Sequence, residues 1–381
     1  MINKREVNDI PYAGYTIDSY ILIDDKGEFI IPACDFLLDI AISGSPINTI
    51  KSYASDLVSF FSQLYSVRGI DSVFSSDYRE VNAEYLDAYL IGFLFQNKKM
   101  SYSSVIRHSA TLNLFYEFAY KNGYLNVFLQ WKNKSKLSNR ATLMDKTLTR
   151  IGSHYIEKEI FNTIILPNIE AHSSFKRERD ELALKLGYFA GIRTHELIAN
   201  GNFSISRMEK LIPKGTSILL DDHITIFGKG SKARKLPLWP ELVSSLHNFL
   251  YGVHRGKLKD TLFENGRGKP LCDEQYGSDV FRAAMNNYLK NNTVETQVYD
   301  SLKHKSFHSL RHSFATNAIT FCYETEAKYS PKWAVMQWMG HSDEKTTEIY
   351  ICFEAIKNNR LGVIDSMKLS ELAFPKSVKK G

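Results

Sequence analysis

The segment Lys132–Arg150 begins Lys-Asn-Lys-Ser-Lys-Leu-Ser-Asn-Arg and holds few large apolar side chains. A stretch so basic and so poor in apolar surface cannot repay the entropy of being ordered in a core. It reads as an exposed linker, bounded at 131–155. It can lie along a polyanion or act as a solvated tether, and its composition suits both. At 381 residues the chain is in any case too long for one ordinary core and fits two domains with extensions.

Upstream of the linker the pattern is helical. Ser45-Pro46 supplies an N-cap and a first-turn proline. Ile50, Tyr53, Ala54, Leu57, Phe61 and Leu64 then recur at spacings of three and four, which makes one apolar stripe. A helix from Ala83 to Gln96 is apolar nearly all round and so reads as buried between others. Another starts near Ser101, carries Val105, Leu112, Phe115 and Phe118, and stops at Asn122-Gly123. Residues 40–130 are thus expected to form an all-helical domain. Residues 1–39 read as an extension. It holds a hairpin over Thr16–Ile31 that turns at Asp24-Asp25-Lys26-Gly27, and a short helix over Asp35–Ile42 after Pro32.

Downstream, a second domain is expected over 156–355. Leu182–Ala190 reads as a helix running into Gly191-Ile192-Arg193-Thr194-His195-Glu196-Leu197. His223–Phe227 and Lys235–Leu238 read as strands around a Gly-Lys-Gly turn, with Lys229, Lys232 and Arg234 at the tip. Pro240–Leu250, Gly277–Leu289, Ser309–Tyr323 and Lys332–Met339 read as further helices, with a tail over 356–381.

Composition excludes several classes. The longest apolar run, Ala88–Phe95, falls far short of the roughly 20 residues of a membrane helix. The first residues lack the apolar segment of a signal peptide, so a cytoplasmic protein with no membrane partner is the expectation. The four cysteines, Cys34, Cys272, Cys322 and Cys352, show no zinc-site or disulfide spacing, and no metal or cofactor is expected. A net charge of +6 permits a polyanionic partner without demanding one.

Between Phe307 and Tyr350, the residues His308, Arg311, His341 and Tyr350 punctuate otherwise helical, apolar sequence. Such a set can bind a phosphodiester and attack it. Cleavage without a metal needs a nucleophile in line with the leaving oxygen, cations to neutralise the non-bridging oxygens, and an acid for the departing 5′ oxygen. Arginine suits the second task, because its planar fork matches two phosphate oxygens and stays charged. Alone, each element has a plainer reading. Arg193 could be a surface arginine at a helix start, Lys229 a solvated tip, His308 a helix-end histidine, and Tyr350 one of 21 tyrosines.

Together, however, these segments resemble the tyrosine recombinases, the phage-integrase family, over roughly residues 40–355. Ala190–Leu197 resembles the family's first-arginine box. Gly228–Leu238 resembles its β-hairpin box with Lys229 at the catalytic-lysine position. His308-Ser309-Leu310-Arg311-His312 matches its His-x-x-Arg box. Met339-Gly340-His341-Ser342, with Tyr350 nine residues after His341, matches its last box. His195 and Met339 depart from the commoner residues at positions that are not catalytic. His312 has no role placed by the resemblance and reads as structural.

The resemblance implies a mainly α fold: an all-helical, SAM-like core-binding domain and an α+β catalytic domain with a small antiparallel sheet, forming a C-shaped clamp on DNA. It implies a site-specific recombinase that cleaves and rejoins DNA through a 3′-phosphotyrosine, exchanging strands through a Holliday junction. Arg193, Arg311, His308 and His341 would hold the phosphate, Lys229 would be the acid, Tyr350 the nucleophile, and Glu196 would brace the site. Expected partners are double-stranded DNA with specific sites, three more copies of the chain in a tetramer, and accessory DNA-bending proteins. The tail would dock on a neighbouring protomer or cover its own. Lys51, Arg107 and the Gly277–Leu289 helix are candidate base readers. The alternatives are a catalytically silent DNA-binding accessory protein, against which the intact site residues argue, and a type IB topoisomerase-like or telomere-resolving enzyme, which the layout disfavours.

Overall fold

The computed structural model divides the chain into two compact units, residues 1–137 and 138–381. It describes residues 2–66, 77–129, 131, 148–199, 201–215, 223–228, 232–292, 296–325, 330–341, 344–360 and 362–363. Most of the expected linker, Lys229, and the tail beyond residue 363 lie outside these.

The first unit opens with an antiparallel hairpin, β1 (Asn3–Tyr12) and β2 (Tyr15–Ile23), that turns at Ala13-Gly14 with both residues at positive φ. The expected hairpin over Thr16–Ile31 is therefore displaced by one strand. Asp24–Gly27 does turn, but beyond it Phe29 makes only an isolated bridge to Ile23. β1 escapes the sequence reading because it is largely polar and buries neither face. Pro32 starts a helix rather than ending a strand. It sits in the first turn of α1 (Ile31–Ile42), where a proline costs no hydrogen bond.

Next come α2 (Ile47–Ser66), α3 (Ala83–Asp87, continuing in wider π turns over Ala88–Asn97) and α4 (Tyr102–Lys121). Asn82 caps α3 by accepting from the Tyr85 N–H at 2.9 Å, and Ser101 caps α4 by accepting from Ser104 at 3.2 Å. Tyr20, Leu22, Phe36 and Leu37 share one core with Leu57, Phe61, Leu112 and Phe115. The N-terminal segment, expected as an extension, is thus part of this unit's core.

The second unit begins with α5 (residues 148–154), a helix inside what reads as linker, with Ile151 buried. α6 (Lys158–Ile160, continuing over Phe161–Ile165) leads to α7 (Ser174–Ala190), capped by Ser173. α8 (Thr194–Ile198) and α9 (Ile205–Leu211) precede the hairpin β3 (His223–Phe227) and β4 (Ala233–Pro237), paired from His223–Pro237 to Phe227–Ala233. α10 (Pro240–Tyr251), α11 (Tyr276–Asn291), α12 (Thr296–Leu302), α13 (Phe307–Glu324), α14 (Pro331–Met339) and α15 (Glu344–Lys357) complete it.

α13 is the central rod, packed on α7, α14 and α15. Its Phe307 and Leu310 belong to the larger core, and its Phe314, Ala315 and Ile319 to a second core with Val335 and Ile351.

Two glycines end helices beside this rod. Gly191 after α7 and Gly340 after α14 both adopt φ of +60°, the left-handed closure that favours glycine. A Cβ at Gly191 would also stand 2.5 Å from the Phe314 ring. Gly191→Ala is expected to cost about 2 kcal/mol or more in urea unfolding, because left-handed strain and a ring clash add.

Candidate active site

The organising contact is a buried carboxylate. Glu196, fully buried in α8, has both oxygens occupied by Arg234: Nη2 donates to Oε2 at 2.6 Å, and Nη1 donates to Oε1. Arg193, at the N-cap of α8, donates its backbone N–H to Glu196 Oε2 at 2.8 Å and its Nη1 to Oε1 at 3.1 Å. Burial on its own would raise this carboxyl, but hydrogen bonds and charge from Arg234, with Arg193 behind it, hold it down at about 2. Arg234 is therefore a buried ion-pair partner and not an exposed hairpin-tip cation, as the sequence suggests.

Asn202 adds a second tie between α8 and the hairpin. Its Nδ2 donates to the carbonyls of Glu196 at 3.0 Å and Phe227 at 2.9 Å, and its Oδ1 accepts from the Phe227 N–H at 2.9 Å. Gly228 follows, and its N–H donates to the Lys232 carbonyl at 2.9 Å. The two residues that flank the expected tip, Gly228 and Lys232, are thus bonded to each other, directly beyond the strand end that Asn202 ties to α8. Lys229 itself lies outside the described residues.

Arg311 on α13 is 2% exposed. Its Nη1 donates to the carbonyl of Gly191 and its Nη2 to that of Met339, the C-terminal ends of α7 and α14. Helix C-termini carry partial negative charge and suit a guanidinium. Among the described residues these two carbonyls are its hydrogen-bond acceptors, and no carboxylate is bonded to it. Burial, then the like charges of Arg193 and Arg234, push its pKa well below the usual arginine value.

Around this cation stand three imidazoles and the tyrosine. Tyr350 on α15 is 5% exposed, and burial raises its hydroxyl to about 12 against the pull of Arg311 and Arg150. The His341 ring stacks on it, centroids 6.0 Å apart and planes 15° off parallel. His341 Nδ1 lies 2.9 Å from the hydroxyl of buried Thr347, six residues on. Burial, then Arg311, lowers His341 to about 4. His308 is exposed at the start of α13, edge-on to the His312 ring at 4.6 Å.

Sequence reasoning read His312 as structural, yet its Nδ1 lies 2.6 Å from the Tyr350 hydroxyl. His154 from α5 stacks on its other side at 5.8 Å, with Nδ1 3.2 Å from Ser309 Oγ. A signal for His312 exists, because it follows His308 by four residues and so shares its helix face. Arg234 is legible too, two residues before buried Leu236 on one face of β4. Nothing in the sequence marks His154, which arrives from α5 within the presumed linker.

Of the site residues expected from sequence, the structure gathers Arg193, His308, Arg311, His341 and Tyr350 at the end of α13, with Glu196 behind. Among the described residues no group of His, Cys, Asp and Glu is arranged to hold a metal ion, and no helix is long and apolar enough to cross a membrane. In the first unit, Arg107 places Nη1 2.6 Å from buried Asp56, so this candidate base reader is tied to a carboxylate.

Comparison with known proteins follows the same outline. Residues 164–354 match the model of the phage integrase family. The tyrosine recombinase XerD of Staphylococcus saprophyticus is 27% identical over 313 residues, covering 81% of this chain and 88% of that protein. Its counterpart in Staphylococcus aureus strain Mu50 is 26% identical over 315 residues, with the same shares covered. Among solved structures, XerH site-specific recombinase bound to a palindromic difH substrate, a post-cleavage complex, aligns with a TM-score of 0.57 at 18% identity, over 90% of each chain. The XerH pre-cleavage complex aligns at 0.52 and 21% identity, over 81% of this chain and 76% of that one. These likenesses concern the fold.

The Glu196 cluster has a pH signature. A carboxyl depressed from 4.5 to about 2 contributes stability above the unfolded value, lost as pH falls from about 4.5 toward 2. At about 1.4 kcal/mol per unit this contribution is roughly 3 kcal/mol. Urea midpoints measured across that window should fall for the native chain, and Glu196→Gln should flatten the fall while starting less stable at neutral pH.

Proposed function

The chain belongs to the phage integrase family, and we propose that it is a site-specific DNA recombinase whose nucleophile is Tyr350. The reaction breaks a P–O5′ bond and forms a phosphotyrosine bond to the DNA 3′ phosphate. The two esters are similar in energy, so rejoining to a new 5′ hydroxyl needs no ATP. Arg311 and Arg193 neutralise the charge that builds on the non-bridging oxygens, and His308 and His341 share that task. Lys229, between the Gly228 and Lys232 anchors, protonates the leaving O5′.

The observation that carries this reading is buried Tyr350 beside two imidazoles, in the field of an arginine that is bonded to two backbone carbonyls and, among the described residues, to no carboxylate. A buried cation held by neutral carbonyls is a preformed anion site, and fixed charge of this kind stabilises a transition state without reorganising. The chain acts on double-stranded DNA, as a homotetramer on two duplexes in the cytoplasm. It exchanges one strand pair and then the other through a Holliday junction, with accessory DNA-bending proteins as further partners. Much of its affinity comes from phosphate contacts and weakens steeply with salt.

The test uses a nicked suicide duplex carrying the chain's own recombination site, mapped first by footprinting. The native chain should become covalently attached, and Tyr350→Phe should bind without attaching; attachment by Tyr350→Phe would refute the assignment. Lys229→Ala should slow single-turnover cleavage by roughly 10²- to 10⁴-fold. A substrate with a bridging 5′ sulfur, which leaves without a proton, should restore most of that loss.

A further inference from the structure

Tyr350 presents a problem that the residues above leave unsolved. Burial holds its hydroxyl at about 12, so near neutral pH it is a phenol and not a phenolate. A phenol attacking phosphorus must give up its proton as the O–P bond forms. Arg193 and Arg311 are donors only and cannot take it. The His341 ring lies nearly parallel to the tyrosine ring with centroids 6.0 Å apart, and its Nδ1 is engaged with Thr347.

His312 is the group at the hydroxyl. Its Nδ1 stands 2.6 Å from Tyr350 Oη, a short O–H···N contact within the range required of a general base. Two neighbouring rings fix its place. It follows His308 on the same face of α13, its ring packs edge-on against His308, and the ring of His154 from α5 stacks on it. His154 is in turn seated against buried Ser309 of α13. We propose that His312 is the general base of strand cleavage, accepting the Tyr350 proton at Nδ1 as the phosphotyrosine bond forms and returning it on rejoining.

The proton balance is closed. Tyr350 Oη bonds to phosphorus, its proton moves to His312 Nδ1, P–O5′ breaks, and O5′ takes a proton from the acid. Cleavage leaves an imidazolium at His312, and attack by the new 5′ hydroxyl reverses each transfer. The charged or titratable groups that face His312 are His154 and Arg150 from α5, His308 and Arg311 from its own helix, and Tyr350 from α15. Burial, then the neighbouring histidines and Arg150, depress His312 to about 3, so before attack its imidazole is neutral with a free lone pair.

This inference rests on Tyr350 as nucleophile, and one assay separates the two. Single-turnover cleavage of the suicide duplex is measured for the native chain, Tyr350→Phe, His312→Asn and His312→Ala, with DNA affinity measured alongside. Asparagine keeps a short hydrogen-bond acceptor but cannot carry the proton. Both His312 variants should bind normally and cleave roughly 10²- to 10⁴-fold more slowly. Replacing Tyr350 alone by 3,5-difluorotyrosine, which ionises near neutral pH, should recover at least about tenfold in His312→Asn and little in the native background. A His312→Asn rate within about threefold of native, a rate above native, or no recovery with the fluorinated tyrosine would overturn the role. If Tyr350→Phe is inactive while His312→Asn is not, this inference alone fails. If Tyr350→Phe attaches, the nucleophile assignment fails with it. A readout on the native chain stands even if the variants misfold. The ¹⁵N resonance of His312 Nδ1 should be that of an unprotonated, hydrogen-bonded nitrogen and should shift in Tyr350→Phe. A protonated Nδ1 would contradict the proposal.

Discussion

The second unit is built around a guanidinium that, among the described residues, is buried without a bonded carboxylate. Arg311 is held by the carbonyl of Gly191, the left-handed glycine that closes α7, and by that of Met339, the last residue of α14 before left-handed Gly340. The geometry couples distant parts of the sequence. α7 must end where it does, α14 must end where it does, and α13 must run between them for one side chain to reach both. An arginine buried this way is costly unless its charge is answered. Two helix dipoles answer part of it, and an anion would answer the rest. On the proposed reading, the folding cost and the function have the same source.

Glu196 plays the complementary part. Among the described residues it is the buried acid bonded to the site's cations, and it gathers Arg193 and Arg234 from a helix start and a strand. Burial, then the like charges of Arg193 and Arg234, lower Arg311, and the Glu196 charge opposes them. With it, Arg234 is neutralised and the hairpin is pinned to α8, while the Arg193 side chain stays about a third exposed. The site is thus arranged before its substrate: one carboxylate, two structural contacts, and a surplus of positive charge.

Much of this was legible in the sequence because chemistry forces local patterns. The glycine before Arg193, the Gly-His pair before Tyr350 and the i, i+3 spacing of His308 and Arg311 are short-range features, and the structure gathers these residues at one site. What escaped depends on tertiary placement. Arg234 reads as an exposed tip cation until the register of β4 turns it inward beside Leu236. His312 reads as structural until α15 delivers Tyr350 to it. His154 lies in a segment whose basic neighbours suggest a linker, and the helix there forms because Ile151 finds a core. At the other end of the chain, β1 was missed because a polar edge strand with two solvated faces carries no apolar alternation. Lys229 and the tail beyond residue 363 lie outside the described residues.

The central claim is that Arg311 and Arg193 form a preformed seat for one phosphate, with Tyr350 opposite the leaving oxygen. A crystal structure of the Tyr350→Phe chain on an uncleaved duplex bearing its recombination site tests it most directly. The account predicts the scissile phosphate within hydrogen-bonding distance of both guanidinium groups, with Arg311 still bonded to Gly191 and Met339. It also predicts the position-350 ring facing away from O5′. A phosphate seated elsewhere, or an Arg311 that must leave both carbonyls to reach it, would contradict the account.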